Sequence, residues 1–134
     1  MEFQRETAPG QQIEGYGEQG FRIAGLRHSG AVFVTPEKAE AWDVERFEDL
    51  TVEAFSSVLK SRSEFDILLI GTGSEFALLP FPLRTALEAT GLSVDAMTTG
   101  AAARTYNVLM VEGRRVAAAL LPVSEANSVH ESTA

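Results

Sequence analysis

The chain after Asp66 alternates between short apolar segments and segments with helical punctuation, and this alternation limits the fold most strongly. The segments "DILLIG" at 66–71, "LSVDAM" at 92–97 and "RVAAALLPV" at 115–123 have the length and composition of strands. Helical segments separate them, so the order is strand, helix, strand, helix, strand. Strands connected in this way pair in parallel through right-handed crossovers.

Proline, threonine and glycine mark the ends of the predicted helices. Pro82 stands at the start of "PLRTALEAT" and Gly91 just beyond its end. Thr99 predicts the N-cap of a helix across 100–112, and Gly113 predicts its stop. An earlier helix is predicted from a cap at Thr51 to about Arg62, because four apolar residues recur there at helical spacing: Val52, Phe55, Val58 and Leu59.

The first third of the chain predicts antiparallel strands. "IEGYGEQGFRIAG" is typical of a hairpin with Phe21 and Ile23 facing inward. Ser29-Gly30 predicts a turn before a strand at 31–35, which Pro36 ends. The sequence therefore predicts a three-layer α/β domain at 12–123, with a central mixed, largely parallel sheet, flanking helices and an N-terminal antiparallel β portion. Polar, aperiodic residues at 1–11 and 124–134 predict flexible tails.

Composition excludes several classes of partner. With 134 residues, a net charge of -8 and a pI near 4.7, the chain lacks the basic surface that nucleic acids or anionic lipids require. No apolar run approaches the roughly 20 residues of a membrane-spanning helix, and no signal peptide is visible. The absence of cysteine excludes disulfides, thiolate nucleophiles and sulfur metal sites, and fits a reducing compartment. We expect a cytoplasmic protein.

Acidic residues concentrate between positions 37 and 53, a segment that contains seven carboxylates and only two basic residues, Lys38 and Arg46. The favoured interpretation is a solvated acidic edge that keeps the protein soluble. The alternative is a docking patch for a basic partner, centred on Glu45, Glu48 and Asp49.

No complete catalytic motif is present. Gly71, Thr72, Gly73 and Ser74 follow a strand, but the third glycine of a dinucleotide fingerprint is replaced by Phe76, and no Walker A sequence follows. Ser74 lacks a base, since the only histidines are His28 and His130. No metal-ligand spacing occurs. The sequence therefore predicts no catalytic residue, metal or cofactor, which leaves enzymatic activity open but disfavoured.

The stretch "TTGAAARTYNVL" at 98–109 permits two interpretations. Thr98, Thr99 and Gly100 open a helix beside the 71–74 loop, and Arg104 lies one turn further, so a small anion or metabolite could bind there. In the structural interpretation, which we favour, Thr99 caps the helix and the alanines let it approach the sheet. Tyr106 and Leu109 then fill the core, Asn107 satisfies a loop carbonyl, and Arg104 pairs with Glu75 or Glu88.

The blocks "ILLIGTGSEFALLPFPLRTALEATGLSVDAM" and "TGAAARTYNVLMVEGRRVAAALLP", with "FRIAGLRHSGAVFVTP" and Trp42, carry a resemblance. Over roughly 12–123 the chain resembles a family of small α/β domains of unassigned activity. That family includes the mitochondrial NADH dehydrogenase (complex I) alpha-subcomplex assembly factor three. The resemblance implies a mixed five-stranded sheet and an interaction or assembly role rather than catalysis.

The same resemblance implies protein partners, among them subunits of inner-membrane respiratory complexes, and peripheral association with the inner membrane. It leaves a homo-oligomer open. Candidate partner surfaces are the acidic residues Glu45, Glu48 and Asp49 and the edge around Arg104 and Tyr106. Many relatives carry Asp at the position of Thr98 and Cys at that of Ala103, so a role that needs either group cannot operate here.

Overall fold

The computed structural model describes residues 10–17 and 19–123, and shows two sheets packed with helices. Apart from Gly10 and Gln11, the tails predicted from the sequence lie outside the described residues. The first sheet is antiparallel and three-stranded, and consists of β1 (Ile13–Gly17), β2 (Gly20–Ile23) and β3 (Leu26–Ser29). It confirms the predicted N-terminal antiparallel portion, including the inward-facing Phe21 and Ile23, which are both fully buried.

The central sheet has five strands in the order β5-β4-β8-β6-β7. These strands are β4 (Val32–Thr35), β5 (Lys38–Ala41), β6 (Ile67–Gly71), β7 (Ser93–Met97) and β8 (Val116–Leu120). β6 pairs in parallel with both β7 and β8, whereas β4 pairs antiparallel with β5 and β8. Only β4 therefore runs against the other four strands, so the prediction of a mixed, largely parallel sheet is confirmed.

Helices cover both faces of the central sheet, which gives the predicted three layers. The helices are α1 (Ser56–Leu59), α2 (Phe81–Glu88) and α3 (Thr99–Val111). On one face, which we call the α2 face, Leu68 and Ile70 of β6 pack with Leu83 and Leu87 of α2. On the other, the α3 face, Leu69 packs with α3 and with the three-stranded sheet.

The alanine run of β8 suits its central place in the sheet. Ala117 and Ala119 face the α2 face and Ala118 faces the α3 face, and all three are fully buried. Since successive side chains of a strand point to opposite faces, three small residues let both helical layers approach this strand closely.

The predicted continuous helix from Thr51 to about Arg62 is wrong. The segment forms a 3-10 turn at Glu53–Phe55, the single-turn α1, and a second 3-10 turn at Arg62–Glu64. Thr51 does accept a hydrogen bond from the Ala54 N–H at 3.2 Å. Packing overrides helical propensity here, because Phe55 is held edge-on against Trp42 with ring centroids 5.1 Å apart, while Val52 is left exposed.

Candidate functional site

The carboxyl ends of β6 and β7 bring the two predicted loops together. The connection after β6 leads to α2 on one face of the sheet, and the connection after β7 leads directly into α3 on the other. Adjacent strands whose connections diverge in this way create the crevice where open α/β sheets usually bind ligands. The loop at 71–74 and the start of α3 therefore meet at the predicted location.

Direct hydrogen bonds join these two loops. The Thr72 N–H donates to the Met97 carbonyl at 2.8 Å, and the Thr99 N–H donates to the Gly73 carbonyl at 2.9 Å. The Thr99 hydroxyl accepts from the Gly73 N–H at 2.9 Å and donates to the Leu121 carbonyl at 2.6 Å. Several polar groups at this crevice are therefore engaged with one another.

Thr98, and not Thr99, caps α3. The Thr98 backbone is extended, and its hydroxyl accepts from the Ala101 N–H at 3.3 Å. Thr99 is already helical, and its hydroxyl is fully buried and used by Gly73 and Leu121. The prediction of Thr99 as the cap is therefore corrected by one residue.

Two glycines of the candidate site are required by close packing. A Cβ on Gly71 would lie 2.8 Å from the Thr99 hydroxyl and 2.9 Å from the Thr99 Cα. A Cβ on Gly100 would collide with the hydroxyl of Tyr16, which covers the start of α3. Gly73 adopts a positive φ of 105°, which permits the turn after β6. These contacts support the structural interpretation of both loops.

Arg104 is exposed on α3. Among the described residues, neither a hydrogen bond nor an ion pair engages its guanidinium. The predicted pairing with Glu88 is wrong, because Glu88 binds Arg84 at 3.0 Å, and the described residues show no pairing with Glu75 either. Arg104 therefore remains a candidate contact for a partner.

Tyr106 belongs to the core, as the structural interpretation predicts, and the alternative prediction of Tyr106 in a partner surface is wrong. Its side chain is fully buried, and its hydroxyl donates to the Gln11 carbonyl at 2.9 Å. Burial raises the pKa of the Tyr106 phenol well above its ordinary value. The neighbouring Asn107 accepts from the Ile13 N–H at 2.9 Å and donates to the Ile13 carbonyl at 2.7 Å. Both residues therefore attach the N-terminal segment to α3.

The acidic residues Glu45, Glu48 and Asp49 are exposed on the segment that follows β5. Asp49 has a local role, since its carboxylate accepts from the Arg46 N–H at 3.2 Å. Buried Trp42, Val44 and Leu50 anchor the segment to the α2 face, and the Trp42 indole donates to the Ala54 carbonyl at 2.8 Å. The carboxylates are thus presented to solvent from a fixed backbone.

A feature that sequence reasoning missed is an exposed apolar segment that runs from the connection after β6 to Phe81, the first residue of α2. Phe76, Leu78 and Phe81 are 53%, 78% and 77% exposed, while Leu79 between them is buried in the core. We call these three exposed residues the apolar loop. Its signal in the sequence was the run "FALLPF", which has neither strand alternation nor helical spacing. Large apolar side chains that cluster at the surface are typical of sites that bind another molecule.

The described part of the chain contains no group of three or more His, Cys, Asp or Glu residues that could hold a metal ion. Within the same residues, no helix is long and apolar enough to cross a membrane.

Residues 13–121 match the family described as a protein of unknown function (DUF498/DUF598). The chain belongs to the DUF498/DUF598 family. This confirms the predicted resemblance. An uncharacterized protein of Rhodobacter capsulatus is 44% identical over 111 residues, which are 83% of this chain and 84% of that protein. A solution structure from Bordetella pertussis, called a Mth938-like domain, matches with a TM-score of 0.78 and 30% identity, over 98% of this chain and 96% of that one.

Another relative of this DUF498/DUF598 chain bears a functional name. The human protein named NADH dehydrogenase [ubiquinone] 1 alpha subcomplex assembly factor 3 is 33% identical over 119 residues. The match covers 89% of this chain but 65% of the human protein, so the chain spans slightly less than two thirds of that relative. Assembly factors therefore occur in the family, and their name implies protein partners.

Proposed function

We propose that this DUF498/DUF598 protein is a non-catalytic assembly factor that binds subunits of a membrane-bound respiratory NADH dehydrogenase. The human relative supports this proposal by its name. We further propose that the protein works in the cytoplasm and meets its partner peripherally at the inner membrane. The apolar loop is the single observation on this chain that carries the proposal.

The apolar loop has the character of an interface core. Phe76, Leu78 and Phe81 lie within six consecutive positions, at the end of the connection and the start of α2, and each is more than half exposed. Leu79 and the start of α2 hold this connection against the core, so the loop has a fixed base. Aromatic and aliphatic groups on a fixed base can enter a partner without a large loss of conformational entropy.

The acidic residues supply a polar flank for the same surface. β5 runs in the same direction as β6, so the segment after β5 and the apolar loop both follow the carboxyl ends of their strands, three positions apart in the strand order. Both segments also pack on the α2 face. An apolar centre flanked by charges is the usual anatomy of a protein interface, in which the charges guide association.

Affinity capture of the tagged protein from its own host in mild detergent tests the proposal. We expect mass spectrometry to identify NADH dehydrogenase subunits with the wild-type protein. The variant with Phe76→Ser, Leu78→Ser and Phe81→Ser should lose them. Leu26→Ser is the matched control, because Leu26 is a 67% exposed apolar residue of β3, outside the proposed surface. Absence of NADH dehydrogenase subunits from the wild-type capture would overturn the proposal.

The acidic flank is tested separately with Glu45→Lys and Glu48→Lys combined. Asp49 is left unchanged, because its carboxylate also caps a 3-10 turn through Arg46. Weaker capture that depends on salt is expected, while Glu112→Lys, a charge reversal at an exposed position at the end of α3, should capture normally. Unchanged capture by the double variant would remove the acidic residues from the interface and leave the apolar loop.

A further inference from the structure

A groove runs between α3 and the edge strand β7. α3 lies over β8 and β6 and reaches β7 less, so part of the α3 face of β7 is uncovered. The groove has a volume of about 280 Å³. Ile67 and Leu69 of β6 line it together with Thr105 and Leu109 of α3, and Asp95 of β7 is the charged residue in its lining.

The outer side of β7 presents backbone groups for pairing. The Ser93 N–H donates to the Asp66 carbonyl and the Met97 carbonyl accepts from the Thr72 N–H, so residues 93, 95 and 97 direct their backbone groups toward β6. Val94 and Ala96 therefore direct theirs outward. The Val94 carbonyl accepts from Arg84 at 3.0 Å. The Val94 N–H and both backbone groups of Ala96 point away from β6, on the side where a further strand could pair.

Asp95 selects what can pair at this edge. Its carboxylate is exposed at the centre of β7, and among the described residues neither a hydrogen bond nor an ion pair engages it. If two copies of β7 paired antiparallel over all five residues, each Asp95 would face its counterpart directly, which is destabilising. A strand with a basic side chain opposite Asp95 would instead form an attractive cross-strand pair.

We propose that β7 is a docking edge for an extended segment of a partner protein, which adds a sixth strand to the sheet and places an arginine or lysine opposite Asp95. In the antiparallel arrangement, the segment exchanges two backbone hydrogen bonds with Ala96. The basic residue of the segment lies on the α3 face of the sheet. The aliphatic part of this side chain covers Leu109 in the groove, and its charged group pairs with Asp95. This inference does not depend on the assembly role.

Binding of a synthetic strand to the purified full chain tests the inference. The probe is the capped peptide Val-Thr-Val-Arg-Val-Thr-Val, and its comparison peptide carries Glu in place of Arg. By NMR, we expect the arginine peptide to protect the Val94 and Ala96 amide protons from exchange. Asp95→Lys should weaken this binding by about three- to tenfold, the range expected for reversing one cross-strand charge pair. Glu112→Lys changes the net charge equally at an exposed helix end and should leave the binding unchanged.

Three results would overturn the inference. The first is no protection of Val94 and Ala96 at a large excess of the arginine peptide. The second is equal weakening by Asp95→Lys and Glu112→Lys, which would indicate attraction to the overall negative charge. The third is protection of the same two amides at high protein concentration without peptide, which would make a second copy of the chain the occupant. None of these readouts involves NADH dehydrogenase, so failure here is distinguishable from failure of the assembly proposal.

Discussion

The Thr99 hydroxyl donates a hydrogen bond of 2.6 Å to the carbonyl of Leu121, and thereby ties the start of α3 to the end of β8. The same oxygen accepts from the Gly73 N–H, so one buried side chain joins three segments at the carboxyl edge of the sheet. This arrangement holds the loop at 71–74 and the start of α3 in direct contact beside the crevice between β6 and β7.

Thr99→Val should lower the free energy of unfolding by about 2 to 4 kcal/mol, because a buried N–H and a buried carbonyl lose their partner while the side-chain shape is kept. Thr99→Ser keeps the hydroxyl and should lose only about 1 kcal/mol for the missing methyl group. Urea unfolding of both variants measures the difference. A loss for Thr99→Val no larger than that for Thr99→Ser would contradict the dominant role of the two hydrogen bonds at this junction.

Gly71→Ala should lower stability by about 1 to 3 kcal/mol, because its Cβ would press against the Thr99 backbone and the Leu120 side chain, both closer than 3.0 Å. Gly15→Ala is the matched control, since a Cβ there has no described heavy atom within 4 Å. Its effect should stay within about 0.5 kcal/mol. Thermal and urea unfolding compare the two. A neutral Gly71→Ala would contradict the close packing of the two loops.

Stability should fall in alkaline solution through Tyr106. Burial raises the pKa of the folded-state phenol above its ordinary value of 10.0, so the unfolded chain ionises first and binds fewer protons. The stabilisation from this group is therefore fully present below about pH 10 and is lost progressively as the pH rises above it. Tyr106→Phe should show a shallower alkaline loss in urea unfolding across this range. Identical pH profiles would exclude Tyr106 as the source.

Asn107→Ala should loosen the N-terminal sheet, because it removes both side-chain hydrogen bonds to the backbone of Ile13. We expect a loss of about 1 to 3 kcal/mol and faster amide exchange in β1, β2 and β3 than in the central sheet. Val108→Ala alters the next residue, which is 57% exposed, and should change neither quantity. Uniform acceleration of exchange in all strands would show that the two sheets unfold together.

Periodicity and punctuation predicted the central elements well, because their side chains are buried in a regular alternation. β6, α2, β7 and α3 lie within two residues of their predicted positions, and β8 starts within one residue of its prediction but ends at Leu120, three residues early. β5 was missed because "KAEA" carries no apolar pattern, and its strand forms through pairing with β4. The continuous helix predicted around Phe55 does not form for a similar reason, because the contact between Phe55 and Trp42 is tertiary and leaves no local pattern in the sequence.

The candidate site was only partly predictable. Sequence order placed Gly71–Ser74 beside Thr98–Gly100, as the crossover rules require. The junction between the two loops depends on the Thr99 side chain, which also reaches Leu121, a residue 22 positions away, and no local pattern predicts this contact. The structural interpretation placed Tyr106 in the core correctly, but its hydrogen bond to Gln11, 95 positions away, which argues against the candidate partner role, is not visible in any local pattern. The apolar loop was overlooked because exposure is not encoded in hydropathy.

Site-specific photocrosslinking at position 78 tests the central claim, that the apolar loop binds the assembly partner. A photoreactive amino acid replaces Leu78 in one strain and Leu26 in a control strain, both in the protein's own host. We expect a crosslink from position 78 to a subunit or assembly intermediate of the membrane-bound NADH dehydrogenase, and none from position 26. The absence of such a crosslink at position 78, or equal crosslinks at both positions, would contradict the claim that the apolar loop binds the assembly partner.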